Sequence, residues 1–524
     1  MARHTRLQAA SLLCLGLLAG CGGGGSDSSS AYGTPGQFAQ QCAPDNPYVA
    51  DADSATTSAS LTTEKQWIRA YMDYAYLWYN EVPTIDASAA WYSGSMTDLD
   101  SSGVPLPLSY YFYDLLTPAT TASGKLRDAY SFVYPTRAWE EYSQSGTTAG
   151  YGIEWSRTSS YVPREWRVAI VQPGSPAANA GIQRGDTLVS VDGVDFVSST
   201  DVDALDVGLF PTGTSTHVLV FSRSGSSDMT ATMTASASVT IDPVPVASIL
   251  TDGSRNIGYL HFTDHITSSE AELIAAIDDF ATTGIDDLVL DLRYNGGGYL
   301  YISSQLSYMI AGPTPTAGKY FEKLAYNAKR TADNEVIPIY NYSCIYDGTR
   351  CTNEQPLPTL NLGRVFIITQ GNTCSASESI INGLRGIDIE VIQIGDTTCG
   401  KPYGFNARDN CGVTYFPIEF QGENYKGFAD YADGFTPVTS GTSDTNLPGC
   451  PTVDDLDHAL GDPSERMLAT ALQRLNDGTC LPAPVSIAKP AGLALTRGAQ
   501  PAAGAMSQSF LRQNRILLPK GSRR

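Results

Sequence analysis

A serine and a later lysine are the residues of this chain best suited to covalent catalysis. Ser375 stands in the segment Gly-Asn-Thr-Cys-Ser-Ala-Ser-Glu, and Lys401 stands in Thr-Thr-Cys-Gly-Lys-Pro. A serine hydroxyl is a weak nucleophile until a neighbouring base takes its proton, and a lysine can be that base where burial lowers its pKa. The two residues therefore predict a serine nucleophile, Ser375, whose general base is Lys401.

The elements on either side of Ser375 predict how it is presented. An apolar run over residues 365–369 is typical of a buried strand, and the apolar spacing over 378–384 is typical of a helix. At such a strand-to-helix turn the Ala376 N–H would point toward an oxyanion formed on the substrate. The alternative is that Ser375 only caps the helix, with Glu378 completing a capping box.

Lys401 follows a second apolar run, residues 389–395, which predicts a strand beside the one that leads to Ser375. The alternative is a solvated loop lysine, because lysines are mostly exposed. Lys401 supports catalysis only if it is buried.

A glycine-rich turn favours catalysis. Residues 288–298 read Leu-Val-Leu-Asp-Leu-Arg-Tyr-Asn-Gly-Gly-Gly, an apolar strand that ends in three glycines. Glycines permit close backbone approach, so the Gly297 N–H is predicted as the second oxyanion donor. The alternative is a tight turn without a ligand. A phosphate loop is disfavoured because the glycines are not followed by Gly-Lys-Ser/Thr.

Together these motifs resemble the C-terminal processing (tail-specific) serine peptidases. The resemblance rests on Asp291 to Gly298, on Ser-Ala-Ser-Glu at 375–378 and on Gly400-Lys401, and it covers roughly residues 60 to 476. It implies an α/β peptidase core in which Ser375 is the nucleophile and Lys401 the general base.

One position departs from the family pattern. Many members continue Gly-Lys-Gly and carry a glutamine four residues after the lysine to orient it. Here Pro402 follows the lysine and Phe405 takes the place of the glutamine, with Asn406 as a possible substitute.

Other catalytic chemistries find less support. A Ser-His-Asp triad would have to recruit His261 or His265, neither of which lies in a catalytic motif, so both are interpreted as structural. A cysteine nucleophile at Cys374 has no evident histidine partner. His-Glu-x-x-His and paired Cys-x-x-Cys spacings are absent, so no metal and no organic cofactor is predicted.

An upstream segment resembles a PDZ domain. It comprises Gly-Tyr-Gly-Ile-Glu-Trp at 150–155 and a longer motif over 171–193. The resemblance implies a loop, formed by Tyr151, Gly152 and Ile153, that captures the C-terminus of a peptide lying along an adjacent strand. The alternative is a PDZ-like fold that serves only as a spacer or lid.

The N-terminus predicts export and lipid anchoring. Arg3 and Arg6 precede an apolar stretch over 7–18, and Leu-Ala-Gly-Cys ends at Cys21. These features are typical of a secretory signal and resemble the bacterial lipoprotein box, which implies lipid attachment at Cys21 and location in the cell envelope. The residue after the cysteine is not aspartate, which favours the outer membrane. A transmembrane helix is the alternative, but the stretch is shorter than the roughly 20 residues a bilayer requires.

Composition restricts the partners. The chain of 524 residues carries 54 acidic against 33 Lys and Arg residues, a net charge of −21. Such an acidic body argues against nucleic-acid binding. Protein or peptide substrates and a membrane, through the lipid anchor, are the predicted partners. The oligomeric state is left open.

Cysteine usage predicts disulfides and an oxidising compartment. Excluding Cys14 and Cys21, eight cysteines remain, an even number. The pairings considered are Cys344–Cys351, Cys399–Cys411, Cys450–Cys480 and, alternatively, Cys374–Cys399.

The predicted fold class is multidomain α/β: a peptidase core, a β-rich PDZ-like domain and a small helical N-terminal domain. The predicted segments are a signal peptide (1–20), a flexible tether (21–58), the helical domain (59–145), the PDZ-like domain (146–242), the peptidase core (243–480) and a disordered basic tail (481–524). The predicted function is a serine endopeptidase acting on unfolded or tail-exposed envelope proteins. The alternatives are a non-catalytic peptide-binding lipoprotein and an enzyme of the same scaffold acting on small peptides.

Overall fold

The computed structural model of the protein describes residues 31–482 and 515–517, except residues 101, 158, 160, 212, 344, 347–350 and 353. The predicted signal peptide and Cys21 lie outside these residues. Within the described part of the chain, no helix combines the length and the hydropathy needed to cross a bilayer.

The first region is mainly helical. Its helices are α1 (Pro35–Phe38), α2 (Leu61–Ala75), α3 (Leu106–Asp114) and α4 (Thr136–Ser145), with short 3₁₀ turns at Val49–Asp51, Tyr79–Glu81 and Ala90–Tyr92. Its strands are β1 (Gln41–Cys42), β2 (Thr57–Ser58) and β3 (Phe132–Pro135).

Helix α2 packs into a core that the first region shares with later parts of the chain. The Ser60 side chain caps the helix by accepting a hydrogen bond from the Thr63 N–H. Its apolar face, which includes Trp67 and Tyr71, packs with Tyr415 in a core shared with residues 403–418. Strand β3 also pairs with a strand of the later region. The predicted helices are present, but they are packed onto the peptidase core.

The tether predicted over 21–58 is wrong for residues 35–58, which are ordered. Cys42 forms a disulfide with Cys411, and the Ala43 N–H donates to the buried Glu64 carboxylate at 2.7 Å. A covalent link and a buried hydrogen bond hold this segment against the fold, which its composition does not reveal.

The second region is β-rich. Its strands are β4 (Thr147–Gly150), β5 (Ile153–Arg157), β6 (Trp166–Val171), β7 (Thr187–Val191), β8 (Val194–Asp195), β9 (Thr216–Ser222), β10 (Met229–Thr234) and β11 (Ser236–Thr240), and its helices are α5 (Pro176–Asn179) and α6 (Val202–Leu209). The main sheet has the order β10-β9-β7-β6-β5, with β8 beside β7, and β4 pairs with β11. Strand β5 therefore lies at the edge of the main sheet.

The third region contains the largest sheet. Its strands are β12 (Val246–Asp252), β13 (Arg255–His261), β14 (Asp287–Asp291), β15 (Gly297–Tyr299), β16 (Tyr320–Tyr326), β17 (Glu335–Pro338), β18 (Ile345–Tyr346), β19 (Cys351–Thr352), β20 (Arg364–Thr369), β21 (Glu390–Gly395), β22 (Tyr403–Gly404), β23 (Arg408–Asn410), β24 (Val413–Phe416), β25 (Phe420–Asn424), β26 (Thr436–Val438) and β27 (Asn446–Pro451). Its helices are α7 (Ser269–Thr283), α8 (Leu300–Ala311), α9 (Pro313–Thr316), α10 (Ala376–Gly386) and α11 (Arg466–Asp477), with a 3₁₀ turn at Thr331–Asp333.

Seven of these strands form one sheet in the order β12-β13-β14-β20-β21-β27-β26, all parallel except β12. Side chains alternate along β14: Leu288 and Leu290 pack against α7, α8 and α10, whereas Val289 packs toward α11. Helices on both faces explain the continuous apolar runs of these strands. As predicted, β20 and β21 are neighbours, so the loops that follow them lie at the same edge of the sheet.

Three disulfides are described. The predicted Cys450–Cys480 pair and the alternative Cys374–Cys399 pair are confirmed. The predicted Cys399–Cys411 pair is wrong, since Cys411 is bonded to Cys42. The predicted Cys344–Cys351 pair involves Cys344, which lies outside the described residues.

The C-terminal tail also differs from its prediction. Disorder is predicted for 481–524, yet Arg515–Leu517 form a strand, β28, that pairs in parallel with β15. A basic, Ala- and Gly-rich composition does not exclude strand pairing when another strand offers an open edge.

Candidate active site

Ser375 lies in the turn between β20 and α10, as predicted. It is fully buried, and its backbone has φ 62° and ψ −116°, a conformation that a non-glycine residue rarely adopts. Its Oγ atom is buried and faces the Glu378 N–H in the predicted capping box, but it has no partner at hydrogen-bond geometry. Strained backbone and an unsatisfied buried hydroxyl are features that concentrate at functional sites.

Glu378 links the Ser375 turn to the Lys401 loop. Its Oε2 atom accepts hydrogen bonds from the Ser375 N–H at 3.0 Å and from the Lys401 N–H at 2.8 Å. Its Oε1 atom accepts from the Gly400 N–H at 2.8 Å and the Thr398 hydroxyl at 2.5 Å. A single buried carboxylate thus brings the two predicted catalytic residues together.

Two opposing effects act on the acidity of Glu378. Burial is the larger and raises the pKa of this carboxyl group, whereas the four hydrogen bonds that it accepts lower it. Each donor favours the ionised form, which accepts hydrogen bonds at both oxygens.

Lys401 is fully buried, so the solvated-loop alternative is wrong. Its Nζ atom lies 4.1 Å from the centre of the Phe405 ring and 5.4 Å from that of Tyr130. The Tyr130 hydroxyl donates to the Cys399 and Gly400 carbonyls, at 3.0 and 3.2 Å, which fixes this ring against the Lys401 loop. Two aromatic rings therefore lie near the amine, and one of them, Phe405, stands at the position where the family pattern predicts a glutamine.

Asn406 does not take over the glutamine position. Its side-chain amide donates to Glu419 at 2.7 Å and to the Tyr326 hydroxyl at 3.4 Å. These contacts hold Asn406 in another polar cluster.

The Cys374–Cys399 disulfide joins the same two loops covalently. The Cα atoms of these residues are 5.2 Å apart, next to Ser375 and two residues before Lys401. Cys374, Glu378 and Cys399 are the only group of potential metal ligands that meets in the described residues. Because both sulfur atoms are consumed by the disulfide, neither a thiolate metal site nor a Cys374 nucleophile is available.

The glycine-rich turn reaches Ser375 through Asn295. The Asn295 carbonyl accepts from the Cys374 N–H and from the Ser377 hydroxyl, both at 3.1 Å. The Asn295 side-chain oxygen accepts from the Gly297 N–H at 3.0 Å and lies 3.0 Å from His265 Nδ1. Asn295 thus links the glycine-rich turn by hydrogen bonds to Cys374 and Ser377, on either side of Ser375.

The two predicted oxyanion donors, Ala376 and Gly297, differ in whether another group already accepts from their N–H. Ala376 is the first residue of α10, where an N–H has no acceptor within the helix. The Gly297 N–H is already engaged by Asn295. The neighbouring Gly298 turns its peptide groups toward the opposite edge of β15, because successive residues of a strand alternate.

The two histidines considered for a triad are structural polar groups in this conformation. His265 contacts Asn295, and His261 Nε2 lies 3.4 Å from the Arg293 carbonyl. Burial lowers the pKa of His261 to about 4. Ser375 Oγ has no hydrogen-bond partner, so neither histidine bonds to it.

Two models of known families match this chain. Residues 256–408 match the family model described as Peptidase family S41, and residues 167–220 match the one described as PDZ domain. The chain carries an S41 peptidase domain and a PDZ domain. The predicted resemblance to the C-terminal processing peptidases is confirmed.

Curated relatives and solved structures agree. Proteins named carboxyl-terminal-processing protease from Synechocystis sp. and Picosynechococcus sp. are each 25% identical, over 50% and 49% of this chain and 55% and 56% of their own. The chain thus spans about half the length of the curated relatives it matches. A putative S41 protease from Bacteroides fragilis is similar in fold, with a TM-score of 0.57, 22% identity and coverage of 79% of this chain and 97% of that chain. The predicted multidomain α/β fold is confirmed.

Within the PDZ domain, the predicted peptide-binding residues lie where β5 begins. Gly152 has φ 78°, and a Cβ atom there would lie 2.5 Å from Ser175 Cβ, so only glycine fits. Tyr151 is buried and its hydroxyl donates to the Gly208 carbonyl of α6 at 3.0 Å. Ile153 starts the edge strand β5, which leaves one side of the strand open to an added peptide.

An ion-pair network joins the PDZ domain to the glycine-rich turn of the S41 domain. Arg184 donates to Asp454 at 2.8 Å and to the Tyr294 hydroxyl at 3.0 Å. Asp454 also pairs with the buried Arg293, at 2.7 Å, and accepts from the Tyr294 hydroxyl. Because Tyr294 and Arg293 immediately precede the turn, the PDZ domain contacts the structure that supports the site.

Sequence analysis missed the roles of two residues. Glu378 was considered only as a helix-capping partner, although its position after Ser375 is the signal that could have found it. Asn295 stands in the glycine-rich motif, but nothing in the sequence indicates that its carbonyl and side chain bind different loops.

Proposed function

We propose that this protein is a serine endopeptidase that cleaves unfolded or tail-exposed proteins in the bacterial cell envelope. The observation that carries the proposal is that one oxygen of the buried Glu378 accepts from the backbone of both Ser375 and Lys401. The two residues therefore meet at the carboxyl ends of parallel strands, where α/β folds commonly place their sites.

In the proposed mechanism, Ser375 Oγ attacks the substrate carbonyl carbon while the neutral amine of Lys401 takes the hydroxyl proton. Lys401 then gives this proton to the leaving amine as the C–N bond breaks, and an acyl-enzyme remains. Water, deprotonated by Lys401, hydrolyses the ester and regenerates the Ser375 hydroxyl.

The oxyanion is assigned to the N–H groups of Ala376 and Gly298. The first assignment is supported by the place of Ala376 at the start of α10, where its N–H has no acceptor within the helix. Gly298 replaces Gly297 in this role because the Gly297 N–H is committed to Asn295, whereas Gly298 faces the other edge of β15.

A non-catalytic peptide-binding protein is the second candidate. Ser375 Oγ makes no hydrogen bond with Lys401 in this conformation, and Phe405 stands in place of the orienting glutamine. Catalytic hydrogen bonds often form only in the substrate complex, so the first proposal predicts that substrate draws the two side chains together.

Cleavage of an unfolded model protein distinguishes the two candidates. Ser375→Ala and Lys401→Arg should abolish cleavage, because alanine has no nucleophile and guanidinium does not act as a base. Lys323→Arg, which alters an ion pair with Glu423, is the matched control and should retain activity. Thermal melting checks folding. A serine-reactive probe should label Ser375 in the wild type, and cleavage by folded Ser375→Ala would refute the nucleophile assignment.

The PDZ domain is proposed to present substrate tails to Ser375. The open edge of β5 and the Tyr151-Gly152-Ile153 loop support binding of a peptide C-terminus. Amidating that C-terminus should raise KM for a tailed substrate and leave kcat unchanged. An unchanged KM would make the PDZ domain a spacer or lid.

Envelope location through a lipid on Cys21 is part of the same proposal. The signal-like N-terminus and the disulfides of the fold support an oxidising compartment. Cys21→Ser should release the protein from the membrane fraction or block its processing. A processed, unacylated protein that stays in the membrane would contradict lipid anchoring.

A further inference from the structure

Strand β15 has two edges, and His265 pairs with one of them. On the first edge, the Tyr299 N–H donates to the His265 carbonyl at 2.9 Å and the Gly297 carbonyl accepts from the His265 N–H at 3.3 Å. Alternation turns the N–H and carbonyl of Gly298 to the second edge. A Cβ atom on Gly298 would lie 2.3 Å from the His265 carbonyl oxygen, so glycine is required for this approach.

The second edge is occupied by the chain's own C-terminal segment. Strand β28 pairs in parallel with β15, with Gly298 opposite Ile516 and Tyr299 opposite Leu517. In this register the peptide groups of Gly298 face the Arg515 carbonyl and the Leu517 N–H.

The surroundings of β28 are those of the proposed active site. Its Cα atoms lie within 8 Å of Cα atoms of α10, which begins after Ser375, and of β22, which begins two residues after Lys401. A substrate that pairs with the same edge of Gly298 would occupy the position of β28. The tail strand and such a substrate exclude each other.

We propose that the segment centred on Arg515–Leu517 is an intramolecular ligand of the substrate cleft, bound by strand addition to Gly298, and that it competes with external substrates. This inference rests on the proposed peptidase function, because the cleft is defined by Ser375 and Lys401. Backbone pairing of an extended segment to an exposed strand edge is a common mode of peptide recognition.

Charge and tethering both favour this contact. Residues 481–524 hold seven Lys and Arg residues and no acidic residue, whereas the whole chain has a net charge of −21. Opposite charges attract the tail to the body. If the tether gives an effective concentration on the order of 1 mM, a tail with a Kd of roughly 0.1 mM raises the apparent KM about tenfold.

Deletion of residues 515–524 from the otherwise full chain tests the competition. KM for a short peptide substrate should fall about tenfold, with kcat unchanged, because a competitor is removed. Leu517→Pro should act like the deletion, since proline removes the N–H that faces Gly298. Ile516→Pro, whose lost N–H faces away, is the matched control and should have a smaller effect. Equal KM values in all four proteins would overturn the proposal.

Binding measured without catalysis separates this proposal from the peptidase function. A fluorescent peptide of residues 510–524 should bind the Ser375→Ala protein that lacks 515–524, and the same peptide with Leu517→Pro should bind more weakly. Binding with no cleavage in any variant would support the tail ligand and refute the peptidase. Absence of binding would overturn the tail ligand whatever the activity.

The intact mass of the purified protein completes the test. If the segment centred on Arg515–Leu517 is an inhibitory ligand, it should remain uncleaved in both the wild type and Ser375→Ala. If the wild type alone loses residues near 515, the segment is a substrate of its own active site, and the inhibitory role is refuted.

Discussion

The fully buried Glu378 carboxylate accepts four hydrogen bonds. Replacing it by glutamine leaves the shape intact but turns an NH₂ group toward at least one backbone N–H that has no other acceptor. A buried donor without an acceptor costs about 1–3 kcal/mol. Glu378→Gln should therefore lower the melting temperature and reduce kcat more than it changes KM, because Ser375 and Lys401 lose their common support.

Glu322 supplies the matched control for this prediction. It is equally buried, yet its carboxyl group is contacted only by the Ser379 hydroxyl, at 3.4 Å, among the hydrogen bonds of the described residues. Glu322→Gln should keep full activity. An equal loss of kcat in both variants would show that Glu378 acts through general stability and does not position the proposed catalytic pair.

Glu322 also predicts a pH dependence of stability. Burial raises its pKa to about 8 from 4.5. The folded state thus holds a proton that the unfolded state loses, and stability falls as pH rises from about 4.5 through 8. Glu322→Gln removes this loss, so the variant should gain stability over the wild type between pH 5 and 9, on the order of a few kcal/mol. Urea unfolding of both proteins at pH 5 and at pH 9 measures the difference in their free energy of unfolding. A difference that does not change with pH would contradict the assigned pKa of Glu322.

At the scale of residues, sequence motifs predict Ser375 and Lys401 as the catalytic pair because the proposed chemistry depends on residue type. The proposed oxyanion donor is harder to predict from sequence, since Gly297 and Gly298 are the same residue type and their N–H groups face opposite edges of β15. The pairing of Gly297 with His265 and the hydrogen bond from its N–H to Asn295 distinguish them.

At the scale of elements, the Cys374–Cys399 disulfide ties the turn after β20 to the loop after β21. The Cys450–Cys480 disulfide closes a chain segment of similar length, 30 against 25 residues, away from the site. By loop entropy each should stabilise the fold by about 3–4 kcal/mol. Double serine replacement at 374 and 399 should lower kcat, whereas the same change at 450 and 480 should lower only stability.

Melting and peptide cleavage at a temperature where both variants are folded provide the comparison. Parallel loss of kcat in the two variants would mean that the disulfides act only through stability. Full activity of the Cys374→Ser, Cys399→Ser protein would show that Glu378 alone holds the two loops.

The order of elements near the site follows from local patterns, whereas contacts between distant segments do not. Apolar runs over 365–369 and 389–395 predict two neighbouring buried strands, and β20 and β21 are paired in parallel. Nothing local predicts that Phe132–Pro135 pairs with Val413–Phe416, or that Cys42 reaches Cys411. Those contacts depend on which surfaces remain uncovered after the core sheet forms.

At the scale of the whole molecule, Arg184 connects the PDZ domain to the S41 domain. Its guanidinium group contacts Asp454 and Tyr294, and the PDZ residues Ala169 and Ile170 pack against the Tyr294 side chain. Tyr294 has φ 66° and precedes the turn that holds the residues around Ser375. Arg184→Ala leaves the partly buried Asp454 with one cation fewer. Tyr294 should then be held less firmly, and kcat for a short peptide should fall.

Arg167 offers a control at the same interface. It joins the PDZ domain to Asp457, whose side chain is 66% exposed, and ion pairs in water contribute about 0–1 kcal/mol. Arg167→Ala should therefore leave kcat nearly unchanged, while Arg184→Ala lowers it even on a peptide too short to occupy the PDZ loop. If both variants keep full activity on that peptide, the interface holds the two domains together without supporting the glycine-rich turn. A loss confined to tailed substrates would instead place the effect of Arg184 in substrate recruitment by the PDZ domain.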